Sequence, residues 1–558
     1  MRSAAAPLTQ GWESKLNAFL KILEQLVTAM EPEAWLRQRF YPFEKGPSGA
    51  IELFDACVFH QDANGAIGMA WLRCPGHTEL LTFPYRIARY SEDGDLIALP
   101  PWSLREATTD ALFYSTWKQA VASTGRIPTL RGGFLLCRQF EAQSSFNIIN
   151  LWTDNKNACT RVETQHLCKI FRVLNPHQPH SVEAETLEYL NSQNHFLQHP
   201  ELTTRYDFAP ANSDTRIPVA IVTRYIQSNN KLWREMTSKI HLARYPESMR
   251  ERSSGLAWQS ILETVNRLGR MLADFHVAMT QSRNNPLISP ETNAGAARER
   301  WLEITRHKIN ERIYLFRSLT DSIRGLDKSF AVLPEYAHQL FEKMKACEHL
   351  GLLIRIHGHV HLGQVLAAED GLYLVNYETD SLDDEEYRLE KQTCLKDLAA
   401  MVLSLRFAWL RTERNEELPI FQEILGSDNE FGKNLLKRTE SVEQPQRYKP
   451  SLAELENTLV RSYLLTIAEN PTGIELLPEK STDLETLFEF CFLMRVLKET
   501  IRDLQNQNPH YKVELKVLAE MLDGRRANPN FEPFFNSPAR SPSALSSDQS
   551  YALGSDFS

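Results

Sequence analysis

The sequence predicts an α+β protein in two lobes, a β-rich first part followed by a largely helical second part. Three observations carry this. Short apolar or alternating stretches bounded by turn residues recur up to about residue 226. Farther on, apolar residues recur at helical spacing, as in Trp258, Ile261, Leu262, Val265, Leu268, Leu272 and Phe275. Within the helical part, at 350–376, an apolar strand runs into a tight polar loop, and the loop leads to a β-hairpin marked by Asp370-Gly371.

Taken in chain order, Leu16, Phe19, Leu20, Leu23, Leu26 and Val27 share one helical face. Strand-like segments follow through about residue 110, among them 52–59 and 67–72, and a helical piece spans 111–122. Strands are expected at 146–152, 167–174 and 218–226. Residues 487–504 are apolar on most faces at first and amphipathic later, the pattern of a helix buried in a bundle. After about residue 527 the chain turns to Pro, Ser and Asn with scattered charge. That composition predicts a disordered tail over 527–558.

With 558 residues the chain is long enough for two to four domains. Its net charge of −9 argues against a nucleic-acid partner, because phosphate backbones are bound mainly by clustered Lys and Arg. No apolar run approaches the roughly 20 residues that span a bilayer, so no membrane association is expected. The first ten residues do not read as a signal peptide, and the cysteines lack the paired spacing of a zinc site or a disulfide framework. A cytoplasmic protein is the expectation.

The run Arg355-Ile356-His357-Gly358-His359-Val360-His361-Leu362-Gly363-Gln364-Val365-Leu366 resembles the catalytic loop of aminoglycoside and small-molecule kinases. There the loop reads His-Gly-Asp-x-x-x-x-Asn/Gln. Its Asp accepts the proton of the substrate hydroxyl, its amide holds a metal, and the next strand ends in a metal-binding Asp. In this chain those positions hold His359, Gln364 and Asn376. The run is similar more narrowly to bacterial maltokinases, whose loop reads His-Gly-Asp-x-His-Leu-Gly-Gln-Val-Leu and precedes an Asp-Phe-Glu matched here by Asn376-Tyr377-Glu378. Arg388, Lys391 and the stretch Leu395-Lys396-Asp397-Leu398-Ala399-Ala400-Met401-Val402 resemble the family's next helix. The resemblance spans roughly 15–525. It implies a protein-kinase-like, aminoglycoside-phosphotransferase-like fold, with an N-terminal cap at 1–122, a nucleotide lobe at 123–226 and a helical lobe with the catalytic loop at 227–526.

The resemblance also assigns a nucleotide site. Lys169, in Leu167-Cys168-Lys169-Ile170-Phe171-Arg172, is the expected nucleotide lysine, with Glu185 favoured over Glu183 as its partner on the next helix. Gln143 and Ser144 match the start of the family's phosphate loop, where Phe146 replaces a small hydroxyl residue and no Gly frees the backbone. Arg224 and Tyr225 fall at the hinge, where adenine would be read. Arg495, Glu499, Asp503, Pro509 and Tyr511 resemble a C-terminal family region that either borders a sugar pocket or simply packs helices.

The expected cofactors are ATP and Mg²⁺, and the loss of two acids weakens both. A neutral His359 can accept a proton, its unperturbed pKa being about 6.5, but supplies no negative charge. Asn376 offers Mg²⁺ only a neutral oxygen, whereas that ion prefers carboxylates. Glu378 persists as an acid, and Asp380, Asp383, Asp384, Glu385 and Glu386 follow, read either as a solvated surface run or as substitute carboxylates. His357, His359 and His361 have no further ligand spacing to favour a transition metal. His276 reads as a packed core histidine. The favoured function is a catalytically impaired, pseudokinase-like maltokinase relative that binds sugar, nucleotide or a partner enzyme. The alternatives are a working ATP-dependent kinase that makes maltose 1-phosphate with rearranged acids and, with no residue pointing to it directly, a different transfer reaction on the same scaffold. Maltose or a related α-glucoside, and a trehalose–maltose converting enzyme, are the partners the resemblance implies.

Overall fold

The computed structural model describes residues 10–43, 45–89, 94–122, 125–139, 148–153, 156–162, 165–193, 195–228, 230–245, 251–283, 285–321, 330–378, 385–412, 450–524 and 529–535. The fold is α+β. It divides into two compact units, one formed by the chain up to Asn191 with Pro200–Gln227, the other by Ser192–His199 with the chain from Ser228 onward. No helix among the described residues is long and apolar enough to cross a membrane.

The first unit holds two antiparallel sheets. The strands Glu52–Gln61, Gly65–Arg73, Leu80–Ala88, Trp102–Glu106 and Ile97–Leu99 lie side by side in that order. The helix Gln10–Ala29 packs across this sheet, and Leu23, Leu26 and Val27 enter a core with Trp35, Phe83 and Leu104. The second sheet runs Arg126–Pro128, Phe134–Gln139, Leu202–Ala209, Ile217–Arg224, His166–Phe171, Asn157–Val162 and Ile148–Thr153. The continuous apolar character of Ile217–Arg224 follows from its place as the middle strand, with both faces covered.

The strand expected over 167–174 is broken at Arg172, whose side chain is fully buried and bonded to Glu106 at 2.7 Å. Beyond it, Val173–Leu174 leaves the second sheet and pairs with Leu80–Leu81 of the first. Further ties join the sheets. The Asp55 carboxylate accepts from the Thr129 hydroxyl at 2.6 Å and the Arg131 backbone N–H at 3.0 Å. The Leu130 N–H donates to the Ala56 carbonyl, and Trp71 stacks on Phe208 with ring centroids 3.8 Å apart.

The second unit is mainly helical. The helix Glu251–Met279 crosses Leu452–Glu469 so closely at Gly269 that a Cβ there would lie 2.6 Å from the Leu459 carbonyl oxygen. Ser451 caps the latter helix by accepting from the Glu454 N–H, a pairing legible as Ser-x-x-Glu. The apolar helix Leu395–Leu410 lies against Ser481–Gln505, both extensively buried. The predicted hairpin forms: Val365–Ala367 pairs antiparallel with Leu372–Leu374, turning through Asp370-Gly371.

The expected start of a disordered tail at 527 needs correction. The short helix Glu532–Phe535 docks on the second unit, with Phe531 and Phe534 buried and Phe531 5.2 Å from the Phe488 ring. Two phenylalanines three residues apart share one side of a helical turn, an apolar face that the average composition of the tail conceals. Residues 536–558 lie outside the described residues.

Candidate active site

In the first unit, Lys169 sits on His166–Phe171, directly between Ile221 and Cys159 of the flanking strands. Its ammonium reaches the Glu183 carboxylate at 2.7 Å, and the two side chains are only 9% and 7% exposed. The expected partner Glu185 is displaced by this pairing. It faces Arg205 instead, at 3.4 Å, where Asp207 and Glu188 also bind at 2.8 Å. Residues two apart on a helix point about 200° apart, so only one of the two glutamates can face the lysine strand. Arg224 and Tyr225 lie together at the end of Ile217–Arg224. The Arg224 guanidinium bonds Glu201 at 2.8 Å, and the Arg161 guanidinium lies 4.2 Å from the Tyr225 ring centroid. Gln143 and Ser144 fall outside the described residues.

In the second unit the strand Leu352–Ile354 delivers the loop. Arg355, buried, anchors its entry by donating to the carbonyls of Leu287 and Arg388 at 3.0–3.1 Å. Asp397, on the first turn of Leu395–Leu410, holds the loop backbone. Its two carboxylate oxygens accept the N–H groups of His357 at 2.8 Å and Gly358 at 3.0 Å. Gly358 adopts φ +76°, a left-handed conformation that a glycine takes without steric cost. His276 meets the same carboxylate at 3.3 Å through Nε2, and its Nδ1 lies 2.8 Å from the Tyr463 hydroxyl. Burial alone would raise the Asp397 carboxyl, but its contact with His276 and the His357 N–H outweighs that and holds it below its usual range. His276 is thus a core histidine that secures the residue shaping the loop.

Burial pushes the His357 imidazole down to about 4 and that of His361 well below its ordinary value, so both are neutral at neutral pH. Each has a backbone duty: His357 Nε2 meets the Val375 carbonyl at 3.1 Å, and His361 Nδ1 accepts from the Gly363 N–H at 3.0 Å. His359, half-buried, lies between them in sequence with its ring 5.0 Å from that of His361. The Gln364 carbonyl accepts from the Val375 N–H at 2.9 Å, which ties the loop to the residue just before Asn376. Asn376 has φ +63°, a left-handed conformation that Asn and Asp tolerate better than other side chains do. Glu378, half-buried, ends the described stretch, and the acidic run over 379–384 lies outside it. Among the described residues no group of three or more His, Cys, Asp or Glu could hold a metal ion.

Beside the loop is a cavity of about 500 Å³ that His361 and Gly363 help to line. Arg495 and Glu499, singled out in the sequence, lie on its wall; Asp503 and Tyr511 do not. Sequence reasoning missed Asp397 as the clamp of the loop, although the residue stood in the matched helix. It also missed Arg411 and Trp233 on the cavity wall, for which no motif gave a signal.

No family model matches the chain, and no curated protein matches it. Among solved structures, a glucosamine kinase (crystal form B) superposes with a TM-score of 0.59 at 16% identity, covering 90% of this chain and 99% of that one. A glucosamine kinase in complex with glucosamine, ADP and inorganic phosphate gives a TM-score of 0.57 at 15% identity, covering 90% and 99%. At such identities the likeness establishes the fold, the α+β architecture of those structures, and nothing finer.

Proposed function

We propose that the chain is a maltokinase-like carbohydrate-binding protein whose phosphoryl-transfer chemistry is disabled. One observation carries this reading: the loop is clamped by Asp397 at His357 and Gly358, yet the very next position holds His359. The frame of a kinase loop is kept while its negative charge is absent. Asn376 removes a second charge at the position where the related loops present a metal-binding Asp. Transition-state charge in phosphoryl transfer is offset mainly by metal ions and positioned groups. Gln364 and Asn376 as a neutral pair, with Glu378 as the single described acid at that strand end, do not fit Mg²⁺ well. The buried Lys169–Glu183 pair does fit a nucleotide phosphate, so nucleotide binding with little turnover is the expected behaviour.

In this reading residues 1–122 form a cap, 123–226 a nucleotide lobe and 227–526 a helical sugar-binding lobe of a cytoplasmic protein. A related α-glucoside would be its ligand and a trehalose–maltose converting enzyme a candidate partner, both on the strength of the loop and helix motifs. The test is calorimetry of Mg·ATP and maltose with the purified chain, followed by a phosphate-transfer assay. Nucleotide binding with negligible transfer is expected, and His359→Asp combined with Asn376→Asp should strengthen Mg²⁺-dependent nucleotide binding. Robust formation of maltose 1-phosphate by the unaltered chain would overturn the disabled reading and favour a working kinase using Glu378 or the acids beyond it.

A further inference from the structure

The cavity beside the loop is strongly cationic. Among the described residues, Lys231, Arg234, Arg411, Arg495 and Arg502 line it, against a single carboxylate, Glu499. Glu499 is already engaged, by Arg495 at 2.7 Å and by Arg502. Among the described residues, no carboxylate lies within salt-bridge distance of Lys231, Arg234 or Arg411. The buried Nε of Arg411 has no hydrogen-bond acceptor either, and burial holds this guanidinium below its usual range. Asp503 and Glu514 also influence Arg411 but do not line the cavity. Burial pushes the Glu514 carboxyl up to about 7, so it is only partly ionised at neutral pH. His361 adds no charge, being held neutral.

Of Lys231, Arg234 and Arg411, Arg411 is the desolvated one, while the other two stand exposed at the rim. A desolvated guanidinium without a bonded counter-charge is costly, and an anion that brings its own oxygen acceptors relieves the cost. Arg guanidinium forks match the planar geometry of carboxylate and phosphate oxygens. The same wall carries an aromatic platform: Trp233 is half-buried, and Arg411 lies 5.1 Å from its ring centroid. Phe407 adds a second apolar surface. Rings of this kind present an apolar body on which a pyranose face can lie, while charged groups at the rim address its substituents.

We propose that this cavity binds an anionic sugar, a pyranose bearing a phosphate or carboxylate group, with Arg411 and Arg234 as its principal anion contacts and Trp233 as the surface under the ring. The inference rests on the reading of the helical unit as the sugar-binding half of a kinase-like fold. It departs from that reading in the ligand: maltose is neutral and gains nothing from unpaired cations. The bound sugar would stand next to His361 and Gly363, so any hydroxyl it presented to the loop would meet neutral groups.

The experiment is calorimetry on the full chain with glucose 6-phosphate, glucuronate, maltose and inorganic phosphate, each with and without Mg·ATP. Either anionic sugar should bind at least about tenfold more tightly than maltose, and its affinity should fall with added salt. The stronger of the two identifies the anionic group. Arg411→Gln should weaken that binding roughly tenfold or more, as expected for a lost charge-assisted contact. Arg234→Gln, at an exposed side chain, should do the same if Arg411→Gln proves unstable. Equal binding of maltose and both anionic sugars, binding of none of them, or variants that bind like the parent would each overturn the proposal. Inorganic phosphate binding as tightly as glucose 6-phosphate would overturn its sugar component. Failure of Mg·ATP to bind, with the anionic sugar still bound, would strike the kinase-derived reading alone and leave the cavity assignment standing.

Discussion

Asp397 accepts the backbone N–H of His357 at 2.8 Å across 40 positions of sequence, and the same carboxylate takes Gly358 and His276. One buried acid therefore fixes the loop by its main chain, indifferent to which side chain comes next at 359. Asp397→Ala would leave two buried N–H donors and a histidine unsatisfied. A loss of about 3–5 kcal/mol is expected, read from urea unfolding. A loss below about 1 kcal/mol would show that the loop holds its shape without the clamp.

Lys169 and Glu183 form a buried ion pair, and removal of either charge takes the counter-ion from the other. Glu183→Gln should cost about 3–5 kcal/mol and reduce nucleotide binding. Glu185→Gln should cost less than about 1 kcal/mol, because Arg205 retains Asp207 and Glu188. Thermal melts and nucleotide titration of both variants separate the roles; the reverse ranking would reinstate Glu185.

Two buried groups set opposing slopes of stability with pH. His357 titrates at about 4 in the folded chain against an ordinary 6.5, so the unfolded chain takes up the proton first. Stability present above 6.5 is lost as pH falls toward 4, by about 3 kcal/mol in full. Glu514 titrates at about 7 against 4.5, so its contribution is present below 4.5 and is lost as pH rises through 7. Glu514→Gln should therefore raise stability at pH 8 by about 1–3 kcal/mol relative to the parent and steepen the loss on the acid side. Denaturant midpoints at pH 5, 6 and 8 check this, and an unchanged pH profile would falsify the assignment.

Two truncations separate the docked turn from the residues beyond it. Removal of 536–558 should leave the melting temperature unchanged, since a Ser-rich sequence with few large apolar residues offers little to bury. Removal of 529–558 takes away buried Phe531 and Phe534 and should cost about 3 kcal/mol or more. Equal melting temperatures for the two truncations would mean that the Phe pair contributes nothing.

The parts legible in the sequence were those encoded locally. Asp370-Gly371 announced its hairpin, and the apolar periodicity around Trp258 its helix. Lys169 was singled out because Leu167-Cys168-Lys169-Ile170-Phe171-Arg172 resembles the lysine strand of maltokinases. Its partner could not be placed, because Glu183 and Glu185 differ only in helical phase, and phase is fixed by packing. Arg172 looked like one more strand residue until burial against Glu106 revealed the break. The unpaired cations of the cavity come from segments as far apart as Lys231 and Arg411, and no local pattern joins them.

The departure of Val173–Leu174 from one sheet to the other has a mechanical consequence. The chain stitches the two layers of the first unit in the middle of its run, and Asp55, Trp71 and Arg172 add rivets on either side. Prying the N-terminal layer away would tear an edge from a ladder, uncover a tryptophan and abandon a buried guanidinium at once. Force or heat applied to this unit should therefore meet one cooperative failure, with no half-open form along the way. An excised N-terminal layer would behave as a fragment rather than as a module that evolution could add or remove.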